Sequence, residues 1–80
     1  VKTPRDISGK DLIKALRTFD YEFVRQNGSH IMVTTIKSGE HHLAIPNHNA
    51  LKIGTINSII SQVAKHFNLT KTQVLQQLFG

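Results

Sequence analysis

The run Tyr21-Glu22-Phe23-Val24-Arg25-Gln26-Asn27-Gly28-Ser29-His30-Ile31-Met32-Val33-Thr34-Thr35-Ile36 decides the fold. Tyr21 to Gln26 is aromatic and β-branched enough for a strand. Asn27-Gly28 then supplies the two positive-φ residues that a type I′ hairpin turn needs. Ser29 to Ile36 is the returning strand. Lys37-Ser38-Gly39-Glu40 makes a second turn, and His41 to Ile45 a third strand that Pro46 ends. Three strands joined by two tight turns predict an antiparallel meander.

Helical patterns flank the meander. Ser8 is placed to cap a helix from Gly9 to Thr18, with Asp11 near the positive end of its dipole. Leu12, Ile13, Ala15, Leu16 and Phe19 recur there at helical spacing. Downstream, Asn47 to Gly54 is a polar loop, and Thr55 is the expected cap of a second helix. Its stripe of Ile56, Ile59, Ile60, Val63, Ala64 and Phe67 is the clearest amphipathic pattern in the chain. Asn68-Leu69 ends it. Thr70-Lys71-Thr72-Gln73 fits a capping box that opens a short last helix, with Val74, Leu75, Leu78 and Phe79 on one side. The predicted class is α+β: a three-stranded antiparallel meander packed on two helices in the order α-β-β-β-α, plus a short C-terminal helix. Residues 1–80 are expected to form one domain. The order matches the topology of double-stranded-RNA-binding domains, which makes the expected fold dsRBD-like.

Composition narrows the partners. Eighty residues allow one small core and no large internal pocket. No apolar run approaches the 18 residues of a membrane span, and the first residues lack the apolar stretch of a signal peptide, so a cytoplasmic protein with no membrane partner is expected. Cysteine is absent, which excludes disulfides and thiolate chemistry. Ten Lys/Arg against five Asp/Glu give a net charge of +5, and nothing acidic follows Glu40. Such a balance suits polyanions through counterion release, and equally suits a surface that is merely solubilising.

Four segments together resemble one family. Ser8-Gly9-Lys10-Asp11-Leu12-Ile13-Lys14-Ala15-Leu16 is similar to its first helix, and Val24-Arg25-Gln26-Asn27-Gly28-Ser29-His30 to its V-R-Q-x-G-S-H hairpin. Ala44-Ile45-Pro46-Asn47-His48 resembles its third-strand exit, and Leu51-Lys52-Ile53-Gly54-Thr55-Ile56 its L-x-x-G-T-[LI] helix start. The family is HicA (YcfA-like), the toxin half of HicA–HicB toxin–antitoxin pairs, and the resemblance runs from Ile7 to Leu78. It implies a small ribosome-independent ribonuclease that cleaves mRNA and is neutralised by a HicB-like antitoxin covering the active site. There are departures. Asp20 precedes Tyr21 where many relatives have Gly, and Ile31 follows His30 where many have a polar residue.

His30 is the family's catalytic position. If Ile31 and Val33 face the helices, period-two alternation turns His30 outward. An exposed imidazole that exchanges a proton near neutral pH suits RNA cleavage by the RNA's own 2′-hydroxyl; the plain alternative is a surface histidine without a role. Gly28 supplies positive φ, and Ser29 either bonds a phosphate or satisfies the turn. Arg25 and Lys37 are expected to flank the same sheet region and to contact RNA phosphates, as Lys10, Lys14 and Arg17 could from the first helix. Lys52, Gly54 and Thr55 would offer phosphate a helix N-terminus. His48 is a candidate second proton carrier. Adjacent histidines on a strand face opposite ways, so His41 and His42 do not readily share an ion, and no metal or other cofactor is expected.

The leading function is thus an endoribonuclease toxin. The alternatives are a non-catalytic RNA-binding module and a protein-interaction module on the same fold. No carboxylate pair or Ser/His/Asp set favours another enzyme class.

Overall fold

A computed structural model describes residues 4–80. Its first helix, α1 (Gly9–Leu16), begins at a complete capping box: the Asp11 N–H donates to Ser8 Oγ at 3.0 Å and the Ser8 N–H to the Asp11 carboxylate at 3.1 Å. The backbone bond from Ser8, reinforced by its hydroxyl, holds the Asp11 carboxyl below its usual value. The helix ends two residues short of the expected Thr18. Its last turn tightens to a 3-10 turn, Arg17–Phe19, and Asp20 follows with φ +63°, a left-handed conformation that stops the helix. That conformation favours glycine, so Asp20 stands where a glycine would sit without strain.

The meander forms as expected, with small shifts in its bounds. β1 (Glu22–Asn27), β2 (His30–Thr35) and β3 (His41–Pro46) lie in the order β1-β2-β3, both pairs antiparallel. The first turn differs from the expected type. Asn27 pairs with His30, so the two-residue loop is Gly28-Ser29, and of these only Gly28 has positive φ, +63°. Glycine at the first central position is the pattern of a II′ turn rather than I′. β1 also carries a bulge: Phe23 pairs with Val33 and Arg25 with Met32, leaving Val24 as the extra residue.

α2 (Ile53–Phe67) starts two residues ahead of the expected cap. Lys52 is the N-cap, extended at φ −69° and ψ 145° and making no side-chain cap bond, so Thr55 lies inside the first turn. Asn68 ends α2 in the left-handed conformation, φ +56°. α3 (Lys71–Phe79) opens at the predicted box, with the Gln73 N–H on Thr70 Oγ1 at 3.1 Å and the Thr70 N–H on Gln73 Oε1 at 2.8 Å.

The core lies between the helices and one face of β2 and β3. Ile31, Val33, Leu43 and Ile45 from the sheet meet Leu12 and Leu16 of α1 and Ile56, Ile59, Ile60 and Val63 of α2, with Val74 and Leu75 of α3 closing it. Burying each such side chain fully contributes about 1.5–3 kcal/mol. β1 lies outside this layer, and all six of its residues are exposed.

Candidate nucleic-acid interface

Burial along β2 sets which side chains are available. Ile31, Val33 and Thr35 are buried and face the helices, so His30, Met32 and Thr34 face out. His30 therefore stands exposed at the first position of β2, opposite Asn27 on β1 and Pro46 on β3. Arg25 pairs with Met32 and so shares the outward face, diagonal to His30 across the hairpin. The bulge makes this possible. Glu22, opposite Thr34, already faces out, and strict alternation from it would turn Arg25 inward; the extra residue Val24 returns it to the His30 face.

Backbone hydrogen bonds link this hairpin to the β3 exit, and that exit and the approach to α2 to the start of α1. The Asn47 N–H donates to the Ser29 carbonyl at 2.7 Å, the Gly9 N–H to the His48 carbonyl at 2.9 Å, and the Leu51 N–H to the Ile7 carbonyl at 2.8 Å. At Gly9 the fit is so close that a Cβ would run into the Pro46 carbonyl oxygen. The hairpin tip, the β3 exit, the start of α1 and the start of α2 thus form one end of the molecule. His30, His48, Lys10, Lys52 and Arg25 are all exposed on that side of the fold. The Ile56 N–H bonds back to the Lys52 carbonyl at 3.0 Å, so Ile53, Gly54 and Thr55 belong to the first turn, whose amides have no acceptor within the helix. Gly54 is exposed, and a Cβ there would meet nothing within 4 Å, which leaves the turn open to an anion. Ser29 sits in the turn, its carbonyl taken by Asn47.

Lys37 does not join this group, contrary to expectation. It follows β2 at the other end of the sheet, seven residues from His30, or about 23 Å at 3.3 Å per residue. Its ammonium lies 4.0 Å from the Asp20 carboxylate.

A second cluster at that far end escaped the sequence reading. The Tyr21 hydroxyl lies 2.7 Å from Nδ1 of His41, and the His41 ring stacks on His66 of α2 at 4.4 Å between centroids and 11° between planes. His66 Nε2 is 3.0 Å from both the Lys37 and the Gly39 carbonyl. Carbonyls only accept, so this nitrogen carries the hydrogen and donates to both. Burial pushes the Tyr21 phenol up to about 12. Burial, then the neighbouring His66 and His42 rings, depress the His41 imidazole. His42 faces out toward Glu40, 3.4 Å away, so the two adjacent histidines do point opposite ways. Among the described residues no three His, Asp or Glu stand together as a metal site.

Asn27 pairs with His30 across the hairpin and so faces the same way, which only the register reveals. The Tyr21–His41–His66 contact joins positions 20 and 25 residues apart, and no local pattern announces it.

A meander backed by helices, with an open sheet face and a basic end, defines a small α+β domain of the double-stranded-RNA-binding order. The family profile described as the HicA toxin of bacterial toxin–antitoxin systems matches residues 9–64, from the start of α1 through most of α2. This covers well over half of the 80 residues, and the chain belongs to that family. Membership carries a toxin role and an antitoxin as partner. Neither the curated proteins nor the solved structures supply a match. No helix among the described residues is long and apolar enough to cross a membrane.

Proposed function

We propose that this toxin is a ribosome-independent endoribonuclease acting on mRNA, with His30 as its general acid/base and a HicB-like antitoxin as its inhibitor. The carrying observation is the exposed imidazole of His30 on the open sheet face of a chain in the HicA family. RNA holds its own nucleophile. The 2′-oxygen attacks the adjacent phosphorus, the bond to the 5′-oxygen breaks, and one proton leaves the 2′-hydroxyl while another reaches the departing oxygen. An imidazole performs either transfer. His48, exposed on the neighbouring β3 exit, is the candidate for the other.

The remaining residues hold the backbone. Arg25 shares the His30 face, and Lys52 with the first-turn amides at Gly54 and Thr55 offers a second phosphate contact. Ser29 is within reach of the same strand as part of the turn. Lys37, at the far end, serves at most a long RNA.

His30→Ala tests the reading. Cleavage of RNA by the purified chain is expected to fall on the order of 10²–10⁴-fold, and growth arrest on expression without the antitoxin to be relieved. RNA binding and fold should persist, because the phosphate contacts lie elsewhere and an exposed side chain contributes little packing. A wild-type chain that binds RNA without cleaving it would give the site to a non-catalytic RNA-binding module.

A further inference from the structure

One edge of the sheet carries an apolar pair, Phe23 and Val24, that the nuclease reading does not use, flanked by Arg25, which it does. β1 is one of the two edge strands, β3 being the other, and its apolar side chains find no cover: Phe23 is 61% exposed and Val24 52%. Beside it runs an open groove, lined by Arg17, Asp20, Tyr21, Glu22 and Phe23, between the 3-10 turn and the strand. An edge of six residues with two large apolar side chains in water is a template for another strand.

We propose that β1 is the surface through which two copies of this chain pair, edge to edge and antiparallel, into a twofold dimer.

The order Glu22-Phe23-Val24-Arg25 is what selects a second copy as the occupant. Set antiparallel to itself about the midpoint of Phe23 and Val24, the stretch places Glu22 opposite Arg25 of the partner subunit. Phe23 then falls opposite Val24 of the partner subunit. The twofold repeats both matches, giving two opposite-charge pairs around two apolar pairs. The bulge matters here too. Glu22 and Arg25 are three residues apart and would face opposite sides of a regular strand, yet the register with Thr34 and Met32 puts both on the outward face. Each acid can therefore meet the partner's base on one side of the sheet. Charged side chains usually guard an edge by repelling a copy of themselves. On this edge the signs are arranged to attract.

Of these four residues only Arg25 attracts a polyanion, whereas Glu22 repels it and the two apolar side chains offer it nothing, so a second copy satisfies the whole stretch where RNA would engage one residue of it. The twofold also closes the assembly: both β1 edges are used up, so no filament grows from them. Its axis runs through the plane of the sheet, which becomes six-stranded, with both His30 faces on one side and the helices on the other. An interface built on one short strand pair is small, so the dimer is expected to be weak and concentration-dependent.

The test is the oligomeric state of the full chain by sedimentation equilibrium over a wide concentration range. The wild type should show a monomer–dimer equilibrium. Glu22→Arg and Arg25→Glu each set like charges together twice, and each should raise the dissociation constant at least about tenfold. Glu22→Arg with Arg25→Glu restores both pairs in reversed sense and should restore the dimer. A wild type that stays monomeric at millimolar concentration overturns the proposal and leaves the edge to a foreign strand; a double swap no better than the single changes also overturns it. Should a charge variant fail to fold, cross-linking decides. The chain has no cysteine, so Phe23→Cys and Val24→Cys variants carry one thiol each. Mixed in equal amounts and oxidised, they should form the 23–24 heterodimer almost exclusively, and the statistical mixture, in which the heterodimer is only twice as abundant as either homodimer, would overturn the register.

Discussion

The two ends of β2 hold the same kind of side chain to opposite ends. At the hairpin end the ties are between backbone groups, Asn47 to Ser29, Gly9 to His48 and Leu51 to Ile7, so the side chains of His30, His48 and Lys52 stay exposed. At the far end the side chains are themselves the ties. His66 donates to the carbonyls of Lys37 and Gly39, His41 meets the Tyr21 hydroxyl, and Lys37 faces Asp20. An imidazole fixed by two carbonyls on one nitrogen and stacked on another ring holds a turn in place. One held only by its backbone is available for chemistry. Two histidine-bearing ends of one sheet thus divide structure from the proposed chemistry, and the division can be broken by exchanging their mutations.

The largest contrast lies in activity. His30→Ala is expected to cost on the order of 10²–10⁴-fold in cleavage with stability nearly unchanged, whereas His66→Ala should leave cleavage by the folded protein within a few-fold of wild type. His66→Ala should instead lower stability by about 1–2 kcal/mol, through two lost hydrogen bonds and a lost stacking partner. Single-turnover cleavage beside urea unfolding measures both. If His66→Ala loses cleavage as deeply as His30→Ala while remaining folded, the division fails.

Gly9→Ala probes the scaffolding of the hairpin end. The new Cβ collides with the Pro46 carbonyl oxygen, backbone that has no rotamer to give way, and relief requires α1 and the β3 exit to separate. A loss of about 1–3 kcal/mol is expected by urea titration, as for other overpacked sites. Cleavage should drop as well, because His48 and the hairpin move with that exit. Tyr21→Phe probes the other end with a smaller change. It keeps the buried ring and removes the hydroxyl from His41, an expected cost near 1 kcal/mol with cleavage untouched.

The same division explains what could be read from the chain alone. Signals that act within a few residues came through. Ser8 caps α1, Thr70 and Gln73 form the box their spacing implies, Asn68 stops α2, and Ile31 and Val33 turn inward and His30 outward. Signals that depend on a partner segment did not. The type of the first turn follows from Asn27 pairing with His30, which makes Gly28 the first central residue. The bulge at Val24 exists only relative to β2, and so does the outward aim of Arg25. α2 begins after Lys52, which makes no side-chain cap bond, next to Leu51, whose N–H is bound by the Ile7 carbonyl from a segment distant in the chain. Lys37 looked like a neighbour of Arg25 because both flank a strand; strand length puts them at opposite ends. Of the candidate site, His30 and its face were legible, and the company it keeps was not.

The smallest expected effect tests the far end through pH. His41 lies half-buried between Tyr21 on one side and His66 of α2 on the other, with His42 next to it on β3. Burial chiefly, then the two other imidazoles, depress its folded value below the ordinary 6.5. Above that ordinary value the ring is neutral in both folded and unfolded chains, and its full contribution to stability is present. Below it the unfolded chain takes up a proton that folded His41 resists, so stability falls as pH drops from 6.5 through the lower folded value, then levels. Asp11 acts in a separate and more acid window, below its ordinary 3.8. His41→Gln removes the titration while leaving Tyr21 an acceptor. Urea midpoints measured between pH 5 and 7.5 should therefore slope less steeply in His41→Gln than in the wild type, with the two curves running parallel above pH 7 and drawing together as the pH falls. An unchanged slope would mean that the stacked pair accepts a proton without resistance, and the far end would lose its claim to be the structural one.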